Sequence, residues 1–163
     1  MNKRFLMFAL LTGFASADKY ETSNLKSTIL CPPSDTMIAF SPKAEAIFQV
    51  AAKDVSDRLV VQLLASGIMK TDRECDKSTL RKVYMSFDID GTEPNPASKI
   101  RAYSIFAYVT DPTPKDYPGY VILWSRSSVK AVASEQKTAF EAMANELFGY
   151  IKEFDLNHQT ANP

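Results

Sequence analysis

Residues 79–90, TLRKVYMSFDID, decide the predicted fold because their apolar and polar side chains alternate. From Val83 to Ile89 every odd-numbered residue is apolar, and the residues between them are polar or Tyr. Successive side chains of a β-strand point to opposite faces of its sheet. A period of two over this length therefore predicts a strand with one face in the core and the other face open.

Two further strand-like runs follow. Residues 98–110, SKIRAYSIFAYVT, are apolar on both sides and are predicted to form the middle strand, and residues 120–128, YVILWSRSS, the third. The connections, GTEPNPA at 91–97 and DPTPKDYPG at 111–119, are rich in Pro, Asp and Gly. Because they are short enough for hairpins, the three strands are predicted to pair antiparallel.

One predicted helix precedes the strands and one follows them. Ser41 and Pro42 are typical of an N-cap and a first helical position, and Gly67 of a C-terminal end. Between them, apolar side chains recur at every fourth residue: Ile47, Ala51, Val55, Leu59 and Leu63. The last helix is predicted over residues 132–156, with apolar side chains at spacings of three and four: Phe140, Met143, Leu147, Ile151 and Phe154.

The predicted fold class is therefore α+β, in the order α-β-β-β-α, with two helices on one face of a small antiparallel sheet. We expect residues 41–157 to form this domain and residues 158–163 a flexible polar tail. Residues 18–40 are predicted to be a tether or an extra edge strand, since Pro32 and Pro33 cannot lie in a central strand.

Residues 1–17 have the three parts of a secretory signal peptide. Lys3 and Arg4 make a basic start, residues 5–14 (FLMFALLTGF) are apolar, and Ala15-Ser16-Ala17 is typical of a cleavage site. The apolar run is too short to span a bilayer, so we expect cleavage after Ala17 and no integral membrane segment in the mature chain. The sequence thus predicts a periplasmic or extracellular protein.

The two cysteines are interpreted in the light of that export. In an oxidising compartment Cys31 and Cys75 can form one intramolecular disulfide. They are too far apart for a CxxC redox motif, and there is no third Cys for a structural zinc site. A disulfide is therefore predicted, and no metal site.

Composition excludes several function classes. With 19 basic and 19 acidic side chains, the chain lacks the charge excess of a general nucleic-acid binder. Its single histidine, His158, cannot supply a catalytic triad or a His-rich metal site, and is interpreted as a solvated tail residue. Only five glycines are present and none forms a phosphate-binding loop. We expect no cofactor and no catalytic residue.

Carboxylate and serine side chains offer two alternatives for a hydrolytic site. Asp88, Asp90, Asp111 and Asp116 would form a carboxylate pair only if the two hairpin loops met, and these loops are predicted at opposite ends of the middle strand. A serine of residues 125–128 could act with Lys130, but the spacing is not diagnostic.

The sequence DIDG at 88–91 resembles a calcium loop, yet its twelfth position is Lys99 instead of Glu, so a turn is predicted.

Aromatic side chains distinguish the predicted open sheet face. Two helices cover only one face of the sheet, and Tyr and Trp side chains bury large areas at protein interfaces. The partner-binding residues predicted on the other face are Tyr84, Tyr103, Phe106, Tyr108, Tyr120 and Trp124. A different protein, a second copy of the chain, or cover by residues 25–40 could each occupy this face.

The order of elements, together with LLASGI at 63–68, AYSIFAYV at 102–109 and LWS at 123–125, resembles small exported α/β modules of bacterial envelopes. The layout of residues 41–156 is similar to the N-terminal domain of TolB-like proteins, whose β-propeller has no counterpart here. This resemblance implies an accessory or assembly role at the envelope and transfers no catalytic residue.

The predicted function is an exported, non-enzymatic binding or assembly protein with a protein partner. The alternatives are an envelope hydrolase and a carrier of a small apolar ligand.

Overall fold

The computed structural model describes residues 23–91, 100–112, 121–133 and 136–163. The strands are β1 (Thr28–Leu30), β2 (Ile38–Phe40), β3 (Arg81–Gly91), β4 (Ile100–Asp111) and β5 (Val121–Ala133). The principal helices are α1 (Pro42–Phe48), α2 (Ala52–Ser66), α3 (Asp72–Lys77) and α4 (Gln136–Ala161). The fold is α+β, as predicted, with helices packed on a mixed sheet.

The three long strands form an antiparallel meander, as the alternation predicted. In the register, Asp88 of β3 lies opposite Phe106 of β4, which lies opposite Ser127 of β5. The short strands β1 and β2 both run parallel to β3 along its other edge. The predicted N-terminal edge strand is thus two short strands, separated by the segment that contains Pro32 and Pro33.

The first predicted helix is divided in two. α1 ends at Phe48 because Gln49 adopts a left-handed conformation (φ 51°) and its N–H caps the carbonyl of Glu45. Ala51 then begins α2 without a side-chain cap. The four-residue period continues across the break, so periodicity alone predicted one helix.

The second half of the chain also differs at its element boundaries. β5 extends to Ala133, beyond the predicted strand end at Ser128, and α4 begins at Gln136 rather than at Val132. Most of residues 127–133 are small or β-branched, which suits a strand as well as a first helical turn.

The core lies between the sheet and the helices. Val83, Met85, Phe87 and Ile89 of β3 are all buried there, on the face predicted from their alternation. α1 crosses so close to the end of β3 that a Cβ built on Gly91 would lie 2.8 Å from the backbone nitrogen of Ala44. The absence of a side chain at Gly91 therefore allows α1 to pack this close to the sheet.

A buried serine joins α2 to the strand before α1. The Ser56 hydroxyl accepts a 2.7 Å hydrogen bond from the backbone N–H of Met37, and both residues are buried. This bond satisfies a donor next to β2 that would otherwise be desolvated without a partner.

The predicted disulfide is confirmed. Cys31 follows β1 and Cys75 lies in α3, and their sulfur atoms are bonded with the Cα atoms 6.1 Å apart. The bond joins the N-terminal edge of the sheet to the short helix before β3.

The C-terminal residues contact the N-terminal segment, contrary to the prediction of a flexible tail. The His158 Nε2 donates to the carbonyl of Thr28 at 3.0 Å. The Asn162 side chain donates to the carbonyl of Leu25 at 3.0 Å and accepts from the N–H of Ser27 at 2.7 Å. We call these contacts the terminal clasp. They hold α4 in helical form to Ala161, five residues beyond the predicted end of the helix, and His158 is not a solvated tail residue.

Candidate functional site

The sheet face opposite the helix layer is the candidate binding surface, and we call it the open face. Its residues come from alternate positions of the three long strands, and none of them is buried. On the opposite side of the same strands, residues such as Met85, Ile105 and Val109 are at most 1% exposed. The residues of the open face include Tyr84, Ser86, Asp88, Asp90, Ser104, Phe106, Tyr108, Thr110, Ile122, Ser125, Ser127 and Val129.

An aromatic pair lies at the centre of the open face. The rings of Phe106 and Tyr108 stack at 5.1 Å between centroids with an interplanar angle of 27°. They are two residues apart on β4, the middle strand of the meander, so neighbouring strands flank them on both sides. Tyr84 of β3 and Ile122 of β5 lie on either side of Thr110, which is two residues beyond Tyr108 on β4. Three of the predicted binding residues thus share this face.

Tyr103 and Trp124 lie on the covered face, so their predicted placement on the open face is wrong. Tyr103 is 1% exposed and meets the edge of Phe48 at 5.4 Å. Trp124 is also 1% exposed, packs edge-on against Phe154 at 5.6 Å, and has the Arg126 guanidinium over its ring. Both side chains belong to the core.

Two different physical reasons explain these misplacements. Tyr103 is an odd number of positions from Phe106 on the same strand, so alternation places the two side chains on opposite faces. Trp124 would share the face of Ile122 in a regular strand, but the β4–β5 register shifts between Val109 and Thr110 and leaves one extra residue on β5. This bulge reverses the side of every residue beyond it. Tyr120 lies outside the described residues.

The positions of Ser128 and Lys130 in the structure test the alternative of a catalytic Ser-Lys pair. Ser128 and Lys130 point to the covered face, where the hydroxyl oxygen of Ser128 is buried. The Lys130 side-chain nitrogen lies 3.5 Å from a carboxylate oxygen of Glu146. A nucleophilic serine needs an accessible hydroxyl and an adjacent general base. The buried Ser128 hydroxyl and the ion-paired Lys130 do not provide this arrangement.

The same region contains an unusual tyrosine. Burial, with smaller contributions from Glu146 and Tyr150, raises the pKa of Tyr103 to about 12. The hydroxyl of Tyr103 and the indole N–H of Trp124 have no hydrogen-bond partner in the described part of the chain. The Tyr150 hydroxyl, by contrast, donates to Glu146 at 3.2 Å.

The carboxylates do not converge. Asp90 lies opposite Ser104, seven residues from Asp111 along β4, which corresponds to roughly 24 Å. Asp111 is buried and pairs with Arg81 at 3.4 Å, and Asp116 lies outside the described residues. Hydrogen bonds from Ser41 and from the Gly91 N–H lower the pKa of Asp90. Residues 88–91 are the last residues of β3 and pair with β4, so the turn predicted at DIDG is wrong for these residues. Among the described ranges, no group of three or more His, Cys, Asp or Glu side chains could hold a metal ion.

A groove of about 260 Å³ lies between α2 and α4. Its floor is apolar, and Asp54, Arg58 and Gln62 of α2 form a polar stripe along one side. The apolar lining residues are Val50, Val55, Leu59, Phe140, Ala144, Leu147 and Phe148. The groove lies within the helix layer and does not reach the open face.

Comparisons with known proteins give only distant likenesses. No protein-family model matches the chain, and no curated protein matches it either. A crystal structure described as that of a neuraminyllactose-binding hemagglutinin homolog from Helicobacter pylori has 13% identity and a TM-score of 0.47, covering 85% of this chain and 87% of that one. The hypothetical protein CT253 from Chlamydia trachomatis has 8% identity and a TM-score of 0.37, covering 66% and 73%. In the portion of the chain with described coordinates, no helix has the length and apolar character required to cross a bilayer.

Proposed function

We propose that this chain is an exported, non-enzymatic binding protein of a cell envelope that recognises a protein partner through its open face. The observation that supports this most is the stacked Phe106–Tyr108 pair on a sheet face where no residue is buried. Phe106 is 38% and Ile122 43% exposed, an arrangement typical of aromatic anchors that become buried on binding. The corrected recognition set is Tyr84, Phe106, Tyr108 and Ile122, bordered by Asp88 and by serines.

Two observations make binding a better proposal than hydrolysis. Of the candidate serines, Ser125 and Ser127 lie on the sheet face opposite Lys130, and Ser128 has a buried hydroxyl oxygen. Lys130 itself is paired with Glu146. Among the described carboxylates, Asp88 and Asp90 are exposed neighbours on β3, and Asp111 is distant from Asp90 and paired with Arg81. Export is supported by the disulfide, because such bonds persist in oxidising compartments. The assembly role implied by the resemblance to TolB-like modules stays a prediction.

The test is affinity capture of the tagged protein from its native envelope, followed by identification of the captured protein. The variant is the double substitution Phe106→Ala with Tyr108→Ala. The matched control is Phe148→Ala on α4, because Phe148 is also 38% exposed. We expect the double variant to lower capture about tenfold or more, as for an interface hot spot, and the control to capture as the wild type does.

Equal capture by the double variant and the wild type would contradict the proposal, as would the absence of any saturable partner. Far-UV circular dichroism of each variant establishes that it is folded. Mass spectrometry of the secreted protein tests the export step separately, and an N-terminus at Asp18 is the expected result.

The groove between α2 and α4 supports a second candidate, a carrier of a small apolar ligand. Its volume of about 260 Å³ suits a small apolar group with a polar end near Arg58. Fluorescence titration with 8-anilinonaphthalene-1-sulfonate tests it. Ala144→Phe, which fills the groove, should abolish binding that the wild type shows, whereas Val61→Phe on the exposed side of α2 should not.

A further inference from the structure

The two edges of the sheet differ in how they are covered. The β3 edge is paired along parts of its length with β1 and β2, which are three residues each. The opposite edge is β5, which has 13 residues and, among the described strands, only β4 as a neighbour. In an antiparallel pair every second residue turns its N–H and C=O away from the partner strand. β5 therefore presents about six such residues outward.

An edge of this length is normally protected against pairing with another chain. Proline, β-bulges, unpaired inward-pointing charges and short strands are the usual devices. The bulge of β5 lies near the beginning of the strand, before Trp124, and leaves residues 124–133 as a regular edge. β5 contains no proline, and each of its two charged side chains lies within ion-pair distance of a carboxylate of α4. Arg126 pairs with Glu153 at 2.6 Å and Lys130 with Glu146 at 3.5 Å. Val129, on the open face at this edge, is 78% exposed. These features permit another strand to pair with β5.

We propose that β5 pairs antiparallel with β5 of a second copy of this chain, about a two-fold axis at Ser127. Charge selects this register. It places Arg126 opposite Ser128 and Lys130 opposite Trp124 of the second copy, so no cation lies opposite another. A shift of two residues would place Arg126 opposite either Arg126 or Lys130, and like charges directly opposite each other are destabilising. In the favoured register residues 124–130 of the two copies lie opposite each other, a stretch that does not include the bulge.

The geometry of this pairing has a consequence for the open face. Opposed residues of antiparallel strands point to the same side of a sheet, so Val129 would lie opposite Ser125 of the second copy on the open side. The two open faces would then form one continuous surface with two Phe106–Tyr108 pairs. Ser125 and Val129 of this edge also lie on the open face. Dimerisation is therefore measured on the purified protein alone, in the absence of a partner.

The test measures the molar mass of the purified protein by sedimentation velocity over a range of concentrations. Wild type is expected at twice the mass of one chain. The double variant Ser125→Lys with Val129→Lys places two cations opposite each other twice across the axis. We expect it to weaken the dimer about tenfold or more. The double variant Ser125→Lys with Val129→Glu instead places opposite charges there and should restore the dimer.

The matched control is Val61→Lys, which changes a valine of α2 that is 64% exposed, and it should leave the mass unchanged. Thermal unfolding of each variant establishes that it is folded. A wild-type monomer at all concentrations would overturn the proposal. Equal dimer affinity in the two charge variants would also overturn the proposal. The register predicts that the Lys/Lys variant weakens the dimer and that the Lys/Glu variant restores it.

Discussion

Removing the Tyr103 hydroxyl should stabilise the protein. Tyr103 is 1% exposed, and its hydroxyl has no hydrogen-bond partner among the described residues. A buried polar group without a partner costs about 1–3 kcal/mol relative to a satisfied one. Tyr103→Phe keeps the ring against Phe48 and removes only this hydroxyl. We expect the variant to gain about 1–2 kcal/mol in the free energy of unfolding at pH 7.

The pH dependence provides a second readout of the same group. The pKa of Tyr103 is about 12 in the folded protein against a reference value of 10.0. The folded state therefore holds the phenolic proton more tightly than the unfolded state. The associated stability is fully present below pH 10 and is lost as the pH rises through 12, by about 3 kcal/mol in all. Tyr103→Phe should lack this loss.

Urea unfolding followed by circular dichroism at pH 7 and between pH 9 and pH 12 measures both effects as differences between variant and wild type. Tyr150→Phe at pH 7 is the control, and it should lower the free energy of unfolding instead of raising it. It removes a hydroxyl that donates to Glu146 and should cost about 0.5–1.5 kcal/mol. A Tyr103→Phe variant less stable than wild type at pH 7, or one with an unchanged alkaline slope, would refute the reasoning.

Three further predictions concern stability, each measured by urea unfolding. Gly91→Ala should cost about 1–3 kcal/mol, because its Cβ would lie 2.7 Å from Ile47 and 2.8 Å from the α1 backbone; an unchanged midpoint would mean that α1 moves freely. Ser56→Ala should cost about 1–3 kcal/mol by leaving the buried N–H of Met37 unpaired, whereas Ser56→Thr, which keeps the acceptor, should cost less. Reduction of the disulfide, which spans 44 positions, should cost about 3–4 kcal/mol, and equal stability in dithiothreitol would contradict it.

Much of the fold follows from patterns that are visible in the sequence. The alternation from Val83 to Ile89 predicted the core face of β3, and the Pro- and Gly-rich connections predicted antiparallel pairing. The division of the first helix was not predictable from periodicity, because Gln49 has no strong preference for the left-handed conformation. The C-terminal end was missed because residues 157–163 are polar, and their order depends on hydrogen bonds to residues 130 or more positions away.

The candidate site was predictable in part. Strict alternation along β4 is enough to separate Tyr103 from Phe106 and Tyr108, so that misplacement came from grouping aromatic residues by type. The placement of Trp124 required knowledge of the bulge on β5, which depends on how β4 pairs with it. Ile122 lies on the open face as regular alternation from Tyr120 would give, but it was not predicted because aromatic character was the signal for that face. Strand register is a tertiary property, and one irregularity changes the face of every residue beyond it.

The terminal clasp has a consequence for when folding can finish. The Ser27 N–H receives its partner only after Asn162 has emerged from the ribosome, whereas the Leu25 carbonyl also accepts from the nearby Thr28 hydroxyl. The N-terminal segment therefore completes its hydrogen bonds only with a residue 135 positions further along the chain. Contacts of such long sequence separation form late and slow the approach to the native state. A chain that is slow to close on itself remains longer in the extended form that a translocation channel can thread.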